Sequence, residues 1–329
     1  MRLAWVPLVG ALAAIAGAWA CNARPRNTHV PLSIERTIPL NGVTGRLDHL
    51  AIDPSRARLF VAELGADSVE ALDLKTGRSL GRIGGLKEPQ GLGYLPGRDE
   101  LVVATGGDGT IRFYRAADLQ LITAIKLGED ADDVRVDLET GRVLVGFGSA
   151  LAVVDPANRK VIATIPLPAH PEGFEVASGR AIINVPAADG IVTVDLRRGR
   201  EVARWRNPGP GLNFPLAVDA AGGLIAAIFR RPAAAVLLDR SGRVMQQLAT
   251  CGDADDAFFD RRRARLYVVC GAGSIDVFQR SVDGYSPAGR VPTRRGGRTG
   301  VFSPELDRLY VAARAAGDAA AVILVLRPS

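Results

Sequence analysis

Short apolar runs separated by turn residues return along this chain with a period of about 42 residues, and a period of that length is characteristic of few architectures. The position held by Asp53 has equivalents at Leu95, Asp137, Ala177, Asp219, Asp260 and Ser303, judged by the apolar alternation before each and the turn after it. The spacings are 42, 42, 40, 42, 41 and 43. Each copy reads as four strands. The first is weakly apolar (Leu50-Ala51-Ile52, Val134-Arg135-Val136), and the second is the most hydrophobic (Leu59 to Ala62, Leu101 to Ala104, Leu266 to Val269). The third alternates and often ends in Asp (Val69 to Asp73, Val236 to Asp239), and the fourth, after a Gly-Arg type turn, is more polar (Lys160 to Leu167). Four short strands per repeat of 40 to 45 residues predict an all-β fold, a seven-bladed β-propeller. The seventh copy supplies only three strands, ending with Val322 to Leu326. Ile34 to Leu40 closely resembles the fourth strand Ile162 to Leu167, so the N-terminal strand is expected to close the last blade and leave no open sheet edge. A parallel α/β fold would need helical segments between strands, and no 3.6-residue period is present.

The first 20 residues read as a signal peptide rather than as fold. Arg2 precedes an apolar run, Leu3 to Ala18, that is short for a membrane span of roughly 20 residues. Ala18-Trp19-Ala20 fits a small-x-small cleavage site, and Cys21 behind it offers a second route, cleavage before a lipidated cysteine. Residues 21–31 read as a linker and 32–329 as the propeller. Export makes Cys251 and Cys270 a candidate disulfide, since oxidising compartments are where such bonds persist. The expected location is the periplasm, or the cell envelope through a lipid at Cys21.

The net charge is +6, but only four of the 41 basic residues are lysine (Lys75, Lys87, Lys126, Lys160). An arginine skew of that kind reflects nucleotide composition, and no basic run interleaved with aromatics is present, so nucleic acid is not the expected partner. A monomer is expected.

The segment Arg58 to Glu63 followed by Ser68-Val69-Glu70-Ala71-Leu72-Asp73-Leu74-Lys75-Thr76-Gly77 resembles the repeat of the bacterial YVTN β-propeller proteins, and the likeness runs over essentially the whole chain after the signal. The Asn of that family's core is replaced here by Glu63, Thr105, Phe147 or Cys270. The resemblance implies a propeller scaffold of an exported or surface-associated kind and leaves the ligand unnamed, because fold alone does not give function.

In a propeller the innermost strands line a central channel, so the loops that lead into them form a ring at one mouth. Those loops carry Asp48, His49, Gln90, Asp132, Asp133, His170, Glu172, Asn213, Phe214, Asp255, Asp256 and Arg298, and the ends of the second strands add Glu63 and Arg230. Three readings of this ring stand side by side. Asp before a strand can cap a turn. Asp132, Asp133, Glu172, Asp255 and Asp256 are hard oxygen donors that suit a divalent cation, the one candidate cofactor. Mixed charges with an aromatic at a concave mouth also make a recognition surface for a small molecule, a peptide or an envelope protein, and this last reading is preferred. Catalysis is the rival: His49 beside Asp48 as a general base with Arg298 or Arg230 holding an anion, or a lactonase-like metal-dependent hydrolase on the acidic residues. No Gly-x-Ser-x-Gly, His-Glu-x-x-His or phosphate-loop motif supports an enzyme.

Overall fold

The computed structural model describes Met1 and residues 30–209 and 211–329. The signal segment, the cleavage site and Cys21 lie outside the described residues, apart from Met1. The chain forms seven four-stranded antiparallel sheets, each built from consecutive strands except one. The innermost strands are Leu50–Asp53, Pro89–Leu95, Ala131–Asp137, Phe174–Ala177, Asn213–Asp219, Ala254–Asp260 and Thr299–Ser303, and we number the blades one to seven in that order. Each innermost strand neighbours the next and the seventh returns to the first, so the sheets stand in a closed ring. The exceptional sheet is blade seven. Its outer strand is Leu32–Pro39, paired antiparallel with Val322–Pro328 from Leu32 opposite Pro328 to Pro39 opposite Val322. Leu32, Ile38 and Leu40 are buried there, which is what holds the two chain ends together.

The physical reason for the ring is in the second and third strands. They are apolar on both faces, as at Leu59-Phe60-Val61-Ala62, and bury completely, since each sheet packs against a neighbour on either side. The fourth strands face solvent on their outer edge and alternate, Lys160–Pro166 being one example. Turns at the far ends of the innermost strands are held by aspartate: Asp53 accepts the amides of Ser55 (3.1 Å) and Arg56 (3.3 Å), Asp219 that of Gly222 and Asp260 that of Arg263. The capping role of aspartate is therefore played at this far mouth, which is not the mouth bearing the candidate residues.

At the mouth where the innermost strands begin, blades two, three, five and six carry a break in pairing with the second strand. The register skips Gln90-Gly91, Asp132-Asp133, Phe214-Pro215 and Asp255. A bulge leaves its residue unpaired and re-aims the side chain. Here it delivers four of the sequence-nominated groups to the mouth. Gly91 permits a close approach between blades two and three, because a Cβ there would lie 1.9 Å from the Asp132 carbonyl oxygen.

Candidate functional site

The mouth is a cleft lined by His49, Asp132, Asp133, Arg135, Glu172, Phe214, Asp255 and Asp256, among others, drawn from blades one, three, four, five and six. His49 stands at its centre with 19% of its side chain exposed. Its Nδ1 lies 3.2 Å from Asp48 and its Nε2 3.9 Å from Asp133. Asp48 in turn meets Arg46 at 2.8 Å. His170 Nε2 lies 3.9 Å from Asp132, while its Nδ1 sits 3.0 Å from the Gly148 carbonyl oxygen, to which a protonated ring donates. On the opposite side Asp255 is gripped by Arg230 and by Arg298 Nε at 2.8 Å. The Arg230 guanidinium lies over the Phe214 ring, 3.9 Å from its centroid, and its Nε donates to Ala254 O at 2.8 Å. Gln90 sits at the margin, donating to Asp130 at 3.3 Å.

Two nominated residues do not reach the mouth. Glu63 is fully buried between Ser68, which donates to it at 2.6 Å, and Arg82. Asn213 is fully buried in a seam network: its Nδ2 donates to Asn184 Oδ1 at 2.9 Å, Asn207 donates to its Oδ1 at 2.9 Å, and Asn184 Nδ2 donates to the carbonyls of Phe214 (3.1 Å) and Pro215 (3.0 Å). Both are polar because buried backbone and side-chain groups need partners, and neither faces a ligand.

The expectation of a cation held by Asp132, Asp133, Glu172, Asp255 and Asp256 is corrected by their arrangement. Among the described residues no three His, Cys, Asp or Glu side chains are gathered to share one ion. Three of the five have their oxygens engaged elsewhere. Asp133 is paired with Arg135 and also accepts the Phe174 amide across a blade boundary. Asp256 accepts the Gly300 amide at 2.7 Å across another, and Asp255 has its two arginines.

Sequence reasoning missed Arg135 and Glu175. They pair across the seam between the innermost strands of blades three and four, 3.1 Å apart. Arg135 also lies 5.6 Å from the centroid of Phe174. It lines both the mouth and the channel cavity of about 320 Å³ beneath, so it forms the floor between them. The available signal was a charged residue flanked by valines, Val134 and Val136, in the first strand.

Electrostatically the mouth pulls every group with a resolved shift toward its protonated form. Burial pushes Glu172 up to about 7, with help from Asp132, and pushes Asp256 up to about 7 against the opposing pull of His49 and the Gly300 amide. Burial likewise raises Asp132, Asp255 and Glu175. The Asp132 carboxylate beside it, with Asp130 adding to the pull, lifts His170 to about 9 against its burial. Burial works against a charged His49, yet Asp133, Asp48 and Asp256 around it hold its pKa well above the ordinary imidazole range.

Cys251 and Cys270 are bonded to each other and tie the loop entering blade six to the end of its second strand. Cys251 lies two residues beyond the fourth strand of blade five, so the bond fixes the approach to Asp255.

A closed ring of seven four-stranded blades defines a β-propeller, and this chain is one. No protein-family model matches it, and no curated protein does. Among solved structures it is similar to hydrazine synthase of Kuenenia stuttgartiensis, with a TM-score of 0.70 and 16% identity, covering 87% of this chain and 95% of that one. At that identity the likeness is one of fold.

Proposed function

We propose that this protein is an exported propeller-scaffold binding module, divergent within the YVTN-type propellers, whose channel mouth takes a basic group presented by a peptide or protein partner. The observation that carries this reading is the acidic excess at one mouth of a chain whose net charge is +6. Asp48, Asp130, Asp132, Asp133, Glu172, Glu175, Asp253, Asp255 and Asp256 outnumber Arg46, Arg135, Arg230 and Arg298 there, and the surplus is balanced in the free protein by protons on His49, His170 and the buried carboxyls. A site that draws protons also draws an ammonium or guanidinium. Its free volume is about 20 Å³, room for the tip of a side chain and not for a whole metabolite. The Arg230–Phe214 stack is an internal example of the contact such a group would make. The N-terminal segment and the Cys251–Cys270 bond support an oxidising, extracytoplasmic setting.

The test is calorimetric titration with tri-lysine and tri-arginine peptides, with tri-glutamate as control. Binding of the basic peptides is expected to release protons, read as a heat that depends on the buffer's ionisation enthalpy, and Asp132→Asn with Glu172→Gln is expected to weaken it at least tenfold. Equal binding of tri-glutamate, or no binding of either basic peptide at millimolar concentration, sinks the reading.

A further inference from the structure

A second cavity, of about 370 Å³, lies between the facing sheets of blades four and five, and none of its residues belongs to the channel mouth. Its walls are Ile182, Val218, Leu224, Ile225 and Trp205, and Thr193 lies among them. Three departures from the seven-fold repeat make it. The third-strand position two residues before the turn is apolar in six blades (Ala71, Phe113, Val153, Leu237, Val277, Val325) and is Thr193 in blade four. The first residue of the second strand is charged in six blades (Arg58, Glu100, Arg142, Arg180, Arg265, Arg308) and is Leu224 in blade five. The outer-strand position filled by Ile, Leu or Val elsewhere is Trp205. Gly242 accommodates the indole, since a Cβ there would lie 2.3 Å from the ring.

At four of the other seams charges tie neighbouring blades on this face: Arg58 to Asp99, Arg159 to Glu100 at 2.6 Å, Arg261 to Asp219 at 2.8 Å and Arg263 to Asp307 at 2.6 Å. Among the described residues no ion pair crosses the seam between blades four and five. The Thr193 hydroxyl is buried, with the residue 2% exposed, and has no hydrogen-bond partner. A buried hydroxyl left so is destabilising, so a repeat position that accepts valine or leucine in other blades has a destabilising residue here. Two exposed guanidinium groups border the opening: Arg180, and Arg240, whose Nη2 donates to the Ala220 carbonyl at 2.5 Å. The one carboxylate in the lining, Asp219, is already engaged by Arg261 and the Gly222 amide.

We infer that this interblade cavity is a binding site for an amphipathic organic anion, its apolar body against Trp205, Leu224 and Ile225, its carboxylate at Arg180 and Arg240, and a polar acceptor at Thr193. The volume sits at the small end of ligand pockets and suits a body of roughly ten to fifteen heavy atoms. Decanoate is a suitable probe, with decanol and decylamine as headgroup controls. In the full chain carrying Trp5→Phe and Trp19→Phe, Trp205 is the only tryptophan left, so its emission reports on this cavity alone. Decanoate is expected to change that emission saturably, at least tenfold more tightly than decylamine or decanol. Arg240→Gln and Arg180→Gln are each expected to weaken it several-fold. Thr193→Val, read by melting temperature as well as by emission, is expected to raise the melting temperature and leave decanoate, which has no second polar group, bound as before, while weakening 10-hydroxydecanoate several-fold, a combination that a merely structural threonine would not produce. The inference is overturned by no saturable change with decanoate up to millimolar concentration, by decylamine binding as well as decanoate, or by a Thr193→Val protein that melts lower and binds 10-hydroxydecanoate unchanged.

Discussion

Replacing Arg135 by methionine keeps most of the side-chain volume and removes the one cation at the floor of the mouth. Arg135 faces Asp133 directly and Glu175 at 3.1 Å, and it lowers the cost of charging Asp256 as well. About a quarter of its side chain is exposed, so the pairs are screened only in part. Removing one partner of a buried ion pair costs about 3–5 kcal/mol, because the other charge stays behind in a poor solvent. For a domain of this size that corresponds to a fall in melting temperature of about 6–10 °C. The penalty depends on the stranded carboxylates being charged. Glu175 and Asp256 already have raised pKa values, Asp256 near 7, and losing Arg135 raises them further. Below those values they take up protons in the folded state and the cost fades. Scanning calorimetry at pH 7.5 and pH 5 is the assay, with Arg135→Met/Glu175→Gln as the double variant expected to recover part of the loss at pH 7.5. A fall of less than about 2 °C at pH 7.5, or the same fall at both pH values, would refute the electrostatic account.

The pH dependence of the unaltered protein follows from the same groups. Glu172, Asp256 and His170 hold protons in the folded state at pH values where the unfolded chain has lost them, so stability declines as pH rises from about 5 to 9. Asp108 and Asp239, both lowered to about 2 despite some burial of Asp108, by Arg112 and by Ser241 respectively, contribute stability that is lost as pH falls below about 4. Melting temperature measured from pH 3 to 9.5 is therefore expected to peak near pH 5, and a maximum above pH 8 contradicts the assignment. Asn184→Ala strands the Phe214 and Pro215 carbonyls and the Asn213 amide, at a cost of about 2–4 kcal/mol in urea unfolding; an effect under 1 kcal/mol would show that the network is not needed. Cys251→Ser/Cys270→Ser opens a loop of sequence separation 19 and is expected to lower stability by about 3 kcal/mol, matched by a reducing agent acting on the unaltered protein.

Much of the architecture is legible in sequence because a propeller blade is a local object. Its four strands follow one another, so the period, the apolar second strand and the Gly-Arg turns are all read along the chain, and the incomplete seventh copy points to the strand that completes it. The N-terminal strand runs over Leu32–Pro39, two residues earlier than its likeness to Ile162 to Leu167 suggested at the start and one earlier at the end. The ring of loop residues at one mouth is legible on the same logic, since the repeat places Asp48, Asp132, Glu172 and Asp255 at equivalent positions, with His49 at the next.

Direction is what the repeat does not contain. Whether a loop residue points into the mouth or into a seam depends on the bulges in blades two, three, five and six, and on which neighbour lies across the blade boundary. That is why Asn213 and Glu63, nominated by position, turned out to be buried partners of Asn184 and Ser68, while Arg135 and Glu175, nominated by nothing, form the floor. Pairing across blades also decided that the acidic residues would be divided among arginines and backbone amides and not gathered about one ion. The cavity at Trp205 has the same origin. Thr193 and Leu224 are unremarkable residues in their own strands, and they become a site only because blade five stands against blade four.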